Sequence, residues 1–217
     1  MTRLQLENLI AVWLNDPEKT YFTASQIQDR INLAQKVLQA ILIDSYQDRY
    51  TVCVTAPTIA NTGRYLLPTD FRKIRRLEIL TAGSGDTGTY KKIEPMDLNQ
   101  QELLTQGAGT PSKYFLVRNH IYLRQVPSQV WTMHMNYVYT VADLTTDGQS
   151  PDIPVEYHEF LAILAVRADL IQDNVDMNPI LELKKEYEEK IRMDAANRKP
   201  DGARMITATR DGFGGLS

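Results

Sequence analysis

One glycine-rich loop, three histidines, a single cysteine and two acidic stretches are the residues of this 217-residue chain whose types could do chemistry. Gly83-Ser84-Gly85-Asp86-Thr87-Gly88 has the glycine spacing of a dinucleotide-binding turn, which works only between a strand and a helix whose N-terminus faces a pyrophosphate. Here Thr89-Tyr90-Lys91-Lys92-Ile93 follows, reads as a strand and meets Pro95, so a hairpin loop is expected. The same loop contains Asp86-Thr87-Gly88, the string of aspartic proteases. That chemistry needs two carboxylates sharing a proton in a rigid, partly buried site, and Asp86 lacks the apolar neighbours such a site requires.

The remaining candidates assemble no better. His120, His134 and His158 have no metal-ligand spacing and no partner cysteines. They read as surface or packing residues beside a turn, on the outer face of a strand and near a helix start. Asp143 to Gly148 has too few alternating oxygen ligands for a calcium loop. Glu186, Glu188 and Glu189 read as the solvated face of a helix. Cys53, in an apolar strand, reads as a small core residue. There is no phosphate loop, and no catalytic residue, cofactor or metal is expected.

The elements that would have to position a site are helical at both ends. Leu6, Leu9, Ile10, Trp13 and Leu14 recur at helical spacing, with Thr2 and Gln5 placed as a capping box. Asp16-Pro17 breaks that helix. A second begins at Thr23, with Gln26 again three residues on. Its apolar stripe is Ile27, Ile31, Ala34, Leu38 and Ile41, widened by Leu33, Val37 and Leu42, and it runs about 35 Å to Tyr46. A helix with so wide an apolar face must pack on other helices.

From Thr51 the period becomes two. Ile74–Leu80, Lys113–Arg118, His120–Gln125 and Val130–Tyr139 read as strands. In the last, Trp131, Met133, Met135, Tyr137 and Tyr139 share one face, as in an antiparallel strand covered on one side. Asn119 falls where a tight hairpin needs positive φ. A short helix is expected over Asp97 to Gln106. Helices return after Asp152, with Pro154 at a first helical position and Tyr157, Leu161, Leu164, Ala168 and Ile171 on the apolar face. Asn178-Pro179 opens the last helix, with Leu183, Tyr187 and Ile191 inward and Glu186 and Lys190 as an exposed pair.

The expected fold is therefore α+β: a four-helix bundle interrupted by an antiparallel β-domain, with an extended C-terminal tail. The divisions are 1–50 for the N-terminal helices, 51–150 for the inserted β-domain, 151–197 for the C-terminal helices and 198–217 for the tail. The tail holds five Gly or Pro and few apolar groups, and alone should be disordered.

Composition narrows the function classes. The chain is 43% hydrophobic and 24% charged, so a packed core is affordable. No stretch approaches the roughly 18 apolar residues of a membrane span, and the N-terminus lacks a signal-peptide core. One cysteine permits no internal disulfide, which fits folding and assembly in a reducing cytoplasm. The net charge of −3 is uneven: −6 over residues 151–197, and +2 over both 51–150 and 198–217. A dedicated DNA-binding domain would show a stronger basic excess on one face.

Three segments together resemble a phage family. They are Arg64–Leu80 (RYLLPTDFRKIRRLEIL), Gly109–Gln125 (GTPSKYFLVRNHIYLRQ) with the aromatic strand after it, and Ile153–Leu170 (IPVEYHEFLAILAVRADL). In this order and at these distances they look like the head–tail adaptor, or connector, proteins of tailed bacteriophages, over residues 2–197. The resemblance implies a structural protein of the virion neck, assembled in the host cytoplasm. It implies a ring, usually a dodecamer, below the portal protein, extending the DNA channel and meeting a tail or nozzle protein on its other side. It implies only weak, non-specific contact with passing double-stranded DNA, no membrane and no catalysis.

Interface residues follow coarsely. Arg198, Lys199, Arg204 and Arg210, with Met205, Ile206 and Phe213, are expected to dock on the portal through ion pairs and a few apolar anchors. Arg72, Lys73, Arg75 and Arg76 are expected to meet a neighbouring subunit or DNA, with an exposed, solvated strand as the plain alternative. The rival functions are a neck completion or tail terminator protein and, in another class, a small hydrolase or nucleic-acid-processing enzyme. A DNA-binding regulator ranks last, since the helix from Thr23 is nearly neutral.

Overall fold

A computed structural model describes residues 1–45, 48–98, 107–172 and 178–198. Helix α1 spans Arg3–Trp13 under the Thr2–Gln5 capping box. Helix α2 spans Ala24–Ser45, and its entry is capped the same way: Gln26 N–H donates to Thr23 Oγ1 (3.3 Å) while Thr23 N–H donates to Gln26 Oε1 (2.9 Å). Asp16 fixes the connection between them. Its carboxylate accepts from the backbone N–H groups of Thr20, Tyr21 and Phe22 at 2.8–2.9 Å.

The C-terminal helices are α3, His158–Gln172, and α4, Asn178–Arg198. Pro154 does not open α3 as expected. With ψ 138° it precedes a 3₁₀ turn, Val155–Tyr157, and the α-helix begins only at His158. Tyr157 and Leu161 are buried as expected, but the core face also takes Phe160, Ala162, Ala165 and Val166, and Leu164 is only partly covered. The broader burial reflects three neighbours, since α3 packs on α1, α2 and α4.

The four helices share one hydrophobic cluster. Leu6 and Ile10 of α1, Ile27, Ile31, Leu38 and Leu42 of α2, Phe160 and Leu161 of α3 and Ile191 of α4 all belong to it. Tyr187 of α4 stacks on Phe160, with centroids 4.7 Å apart. Two residues read as part of the α2 stripe lie outside it: Leu33 is 65% and Val37 46% exposed. Burial extends instead to the opposite flank of the stripe, where Asn32, Gln35 and Gln39 are buried.

Between the helix pairs lie β1 (Thr51–Pro57), β2 (Arg64–Leu66), β3 (Phe71–Ala82), β4 (Thr89–Lys92), β5 (Glu94–Pro95), β6 (Ala108–Gly109), β7 (Lys113–Val117), β8 (His120–Arg124), β9 (Val126–Pro127) and β10 (Thr132–Tyr139). They form a sheet in the order β1-β10-β3-β4, a second in the order β2-β8-β7-β5, and the pair β6-β9. The pairing is antiparallel except for β5 with β7 and β6 with β9. The two larger sheets enclose a second cluster. Leu77, Ile79, Met133, Met135 and Tyr137 come from the first, and Tyr114, Ile121 and Leu123 from the other. The inward face expected for β10 is correct, with Trp131 and Tyr139 partly buried at its ends.

Two local expectations need correction. Cys53 is exposed, because it is paired with Asn136 and shares the uncovered outer face of the first sheet. The positive φ of the β7–β8 turn belongs to Arg118 (54°), one residue before Asn119. Beyond β10 the chain packs on the helices: Val141, Leu144 and Ile153 are buried in the helical cluster together with Tyr50 and Val138. Most of the helix expected over Asp97–Gln106, and the tail from residue 199, lie outside the described residues.

Candidate assembly surfaces

The structure separates the residues whose types suggested chemistry. Gly85–Thr87 form one 3₁₀ turn in the β3–β4 hairpin, and the next element is a strand returning antiparallel, with no helix to meet a pyrophosphate. His120 is bonded to Arg64 (2.9 Å), and His134 packs against Tyr90 (centroids 4.6 Å). His158 is buried; its Nε2–H donates to Ile153 O (3.0 Å), leaving Nδ1 to accept from the Met1 amine (2.6 Å). Burial, with the adjacent amine and Arg49, pulls its pKa below the usual imidazole value despite opposing contributions from Ile153 and Glu156. Among the described residues no group of three or more His, Cys, Asp or Glu is placed to hold a metal.

The acidic stretch after β10 acts as an anchor. Asp143 pairs with Lys36 of α2 (2.7 Å), and Asp147 pairs with Arg3 of α1. Arg3 also reaches Glu7 (2.8 Å) and Gln28 (3.1 Å), and buried Glu7 is shared with Lys19. These contacts tie the chain between β10 and α3 to the first two helices.

A ladder of amides completes the attachment. Gln28, Asn32, Gln35 and Gln39 recur on one flank of α2, at the 3- and 4-residue steps that align side chains along a helix. Gln39 Nε2 donates to Tyr139 O (2.7 Å) and its Oε1 accepts from Val141 N–H (3.3 Å). Gln35 donates to Ala142 O (2.8 Å). Asn32 accepts from Leu144 N–H (2.7 Å) and donates to Leu144 O (3.3 Å), which Gln28 also reaches (2.8 Å). An extended segment with no strand beside it thus finds partners for backbone groups that would otherwise be buried unpaired. The 28-32-35-39 spacing is a signal present in the sequence, and the usual surface placement of glutamine and asparagine disguises it.

Phenols secure the other side of the junction. Tyr137 OH donates to Asp70 (2.9 Å) and Tyr139 OH to Asp152 (2.5 Å). Burial first, then the carboxylate partner, pushes each phenol up to about 12. Tyr139 packs against both hydrophobic clusters and lies edge-on to Tyr50, with centroids 6.1 Å apart.

The basic strand is exposed, but its arginines are engaged. Register shifts at Asn136/Tyr137 and Val138/Tyr139 place β-bulges along the β3 segment Phe71–Arg76. Arg72 reaches Gln39 of α2 (3.4 Å), Arg75 reaches exposed Asp48 (3.6 Å), and Arg76 pairs with Glu78 (2.5 Å). Lys73 is exposed, paired across the sheet with Val138. Arg198 is the last residue of α4, and Lys199, Arg204, Met205, Ile206, Arg210 and Phe213 lie outside the described residues.

Apolar exposure is concentrated on the helices and loop tips. Besides Leu33 and Val37 it includes Val12 and Trp13 of α1, and Tyr21, 84% exposed on the loop pinned by Asp16. A cleft of about 320 Å³ lies between α2 and α4, lined by Ala40, Ile41, Asp44, Ser45, Glu188, Ile191 and Arg192. Such surfaces suit contacts with other macromolecules better than conversion of a small molecule. No described helix is long and apolar enough to cross a membrane. The profile of a family described as SU10 adaptor protein matches residues 1–210. No curated protein matches the chain.

Proposed function

The chain belongs to the SU10 adaptor protein family, a family of phage head–tail adaptors, and from that premise we propose that its copies form a ring, a dodecamer, directly below the portal. It is a structural protein of the phage virion, working with other head and tail proteins. In the proposed ring it extends the DNA channel and offers the tail or nozzle protein a seat on the face away from the capsid. The observation that carries this reading is the span of the match, which takes in every described helix and strand and much of the basic segment after α4.

The architecture supports it physically. The four helices share one hydrophobic cluster, the sheets hold a second, and the amide ladder and phenol–carboxylate bonds stiffen the junction between them. A wall segment that must hold its shape while DNA passes needs such a junction. Arg198, Lys199, Arg204 and Arg210, with Met205, Ile206 and Phe213, form the portal-docking segment. The Arg72, Lys73, Arg75 and Arg76 strand meets a neighbouring subunit or, weakly and without sequence preference, the DNA. With three of those four side chains already held within the chain, DNA contact has few free cations to work with.

The test is a pull-down on assembled portal with the intact chain and with a chain ending at Arg198, beside a thermal melt of each. The shortened chain is expected to lose attachment with little change in Tm. Full affinity without residues 199–217 would contradict the assignment of the docking segment.

A further inference from the structure

The first sheet, β1-β10-β3-β4, ends in two edges of different character. An edge strand presents unpaired N–H and C=O groups, and proteins blunt such edges with shortness, charge or bulges. Strand β4 is short, at four residues, and carries Lys91 and Lys92. Strand β1, Thr-Val-Cys-Val-Thr-Ala-Pro, has seven residues, no charge and an unbroken register with β10. Among the described residues no strand lies beside either open edge.

The register says which groups each edge offers. Tyr139 N–H donates to Tyr50 O (3.1 Å) and Thr58 N–H to Trp131 O (2.7 Å), so the even-numbered residues between them turn their backbone groups toward β10. The odd-numbered residues turn theirs outward. Thr51 N–H already donates to Asp48 O (3.3 Å), and Pro57 has no N–H, which leaves Cys53 and Thr55. On β4 the same argument applies. Ile93 N–H donates to Leu77 O (2.8 Å), so Lys91 bonds toward β3 while Tyr90 and Lys92 turn their backbone groups outward. Each edge thus offers one pair of alternate residues.

Direction and charge decide which edges suit each other. The pairings β1 with β10, β10 with β3 and β3 with β4 are all antiparallel, so β1 and β4 run in opposite directions. Strand β1 of a second copy can therefore extend the sheet past β4 in the same antiparallel sense. Two β4 edges are a poor match, because pairing would bring Lys91 and Lys92 of both copies together. The uncharged β1 raises no such repulsion, and the residues leading into it include Asp44 and Asp48, both exposed. Antiparallel pairing turns the lysine end of β4 toward that acidic end of β1. There is also apolar surface to cover: Val54 alternates with partly buried Val52 and Ala56, yet is itself 36% exposed.

We infer that β1 of one copy pairs with β4 of the next, Cys53 opposite Lys92 and Thr55 opposite Tyr90, so that the sheet continues from subunit to subunit. The inference rests on the ring reading above and supplies the contact that builds the ring. In this register the outward groups of Cys53 and Thr55 meet those of Lys92 and Tyr90, and all four side chains lie on the outer face. On the covered face Lys91 comes opposite Val54 and lays its aliphatic stem over it. A contact between two different edges is head-to-tail, and it repeats from copy to copy until a ring closes.

Native Cys53 makes the test direct, because it is exposed on the edge in question. The variant K92C places a second thiol opposite it, at the roughly 5.5 Å Cα separation of a bonded antiparallel pair, which a disulfide can span. Parent and variant are assembled on portal, closed rings are confirmed by electron microscopy, and mild oxidation is followed by a non-reducing gel. The variant is expected to give a ladder from dimer upward, and the parent none. Cys53-linked dimers in the parent would pair β1 with β1, and closed rings of the variant without a ladder would leave the edges apart; either result overturns the inference while the ring reading stands. Absence of closed rings for the parent would instead contradict the ring reading itself. Hydrogen exchange of the parent needs no variant. On assembly the amides of Cys53, Thr55, Tyr90 and Lys92 are expected to slow about tenfold or more, while Val52 and Val54, bonded to β10, stay protected throughout. Slowing at β1 without slowing at β4 would give the edge to another partner and overturn the inference, as would unchanged rates at both.

Discussion

The helical cluster and the sheet cluster are fastened to their surroundings by opposite means. In the sheet region the backbone of the strands satisfies itself through ladders, and polar side chains bond backbone groups mainly at turns and strand ends, as Thr58 does with Trp131 N–H (2.7 Å) and Tyr65 with Thr62 O (2.7 Å). In the helical region the extended chain after Tyr139 has no neighbouring strand among the described residues, and α2 supplies partners from Asn32, Gln35 and Gln39. One strand-length of chain thus leaves a backbone-bonded environment and enters a side-chain-bonded one at a single residue, Tyr139. The sheet tolerates changes of polar side chain because its ladder is independent of them. The helical side does not, because its ladder is made of side chains.

The largest expected effect lies in the helical region. Phe160→Ala empties a fully buried site beneath Tyr187 and should destabilise the chain by about 3–5 kcal/mol, read as a fall in the midpoint of urea unfolding. An effect below about 1 kcal/mol would mean that α4 does not close over the helical cluster. The comparison is drawn out more sharply by Gln39→Met, which keeps length and removes the amide. It strands Tyr139 O and Val141 N–H and should cost about 1–3 kcal/mol. Asn136→Ser, a polar change of side chain on the sheet's outer face, should cost within about 0.5 kcal/mol. Equal losses at the two sites would break the distinction.

The smallest effect is a change in pH dependence. Three backbone N–H groups, that of Phe22 foremost, hold the Asp16 carboxyl below the usual aspartate value of 3.8. A depressed folded pKa means the contribution is present above the unfolded pKa and lost as pH falls through the folded one. Asp16→Asn should therefore lower Tm at pH 7, where the contribution is present, and flatten the acid limb of the stability curve below about pH 4, where the parent has already lost it. An acid limb identical to the parent would remove Asp16 from the account.

What the sequence disclosed follows the same division. The inward face of β10, the hairpin at Gly83–Gly88 and both N-terminal capping boxes were legible, because period-two alternation and the Thr-x-x-Gln spacing are local signals. Leu33 and Val37 are exposed where residue type predicts burial, and Gln35 and Gln39 on the opposite flank are buried because their backbone partners lie about a hundred positions away. Cys53 was misassigned for a related reason: a strand rich in valine suggests two covered faces, and only the topology reveals that one is open. The interface residues are the least legible part, since a surface that binds another molecule carries no internal period. The family membership was readable only from three separated motifs taken in order.

The central claim is the position of the chain in the particle, and cryo-electron microscopy of the virion neck tests it most directly. The account predicts a closed ring of this chain in contact with the portal on one side and with the first tail component on the other, its wall built from the helices and sheets described above. A neck in which this chain does not touch the portal, or in which its fold is found only further down the tail, would contradict it.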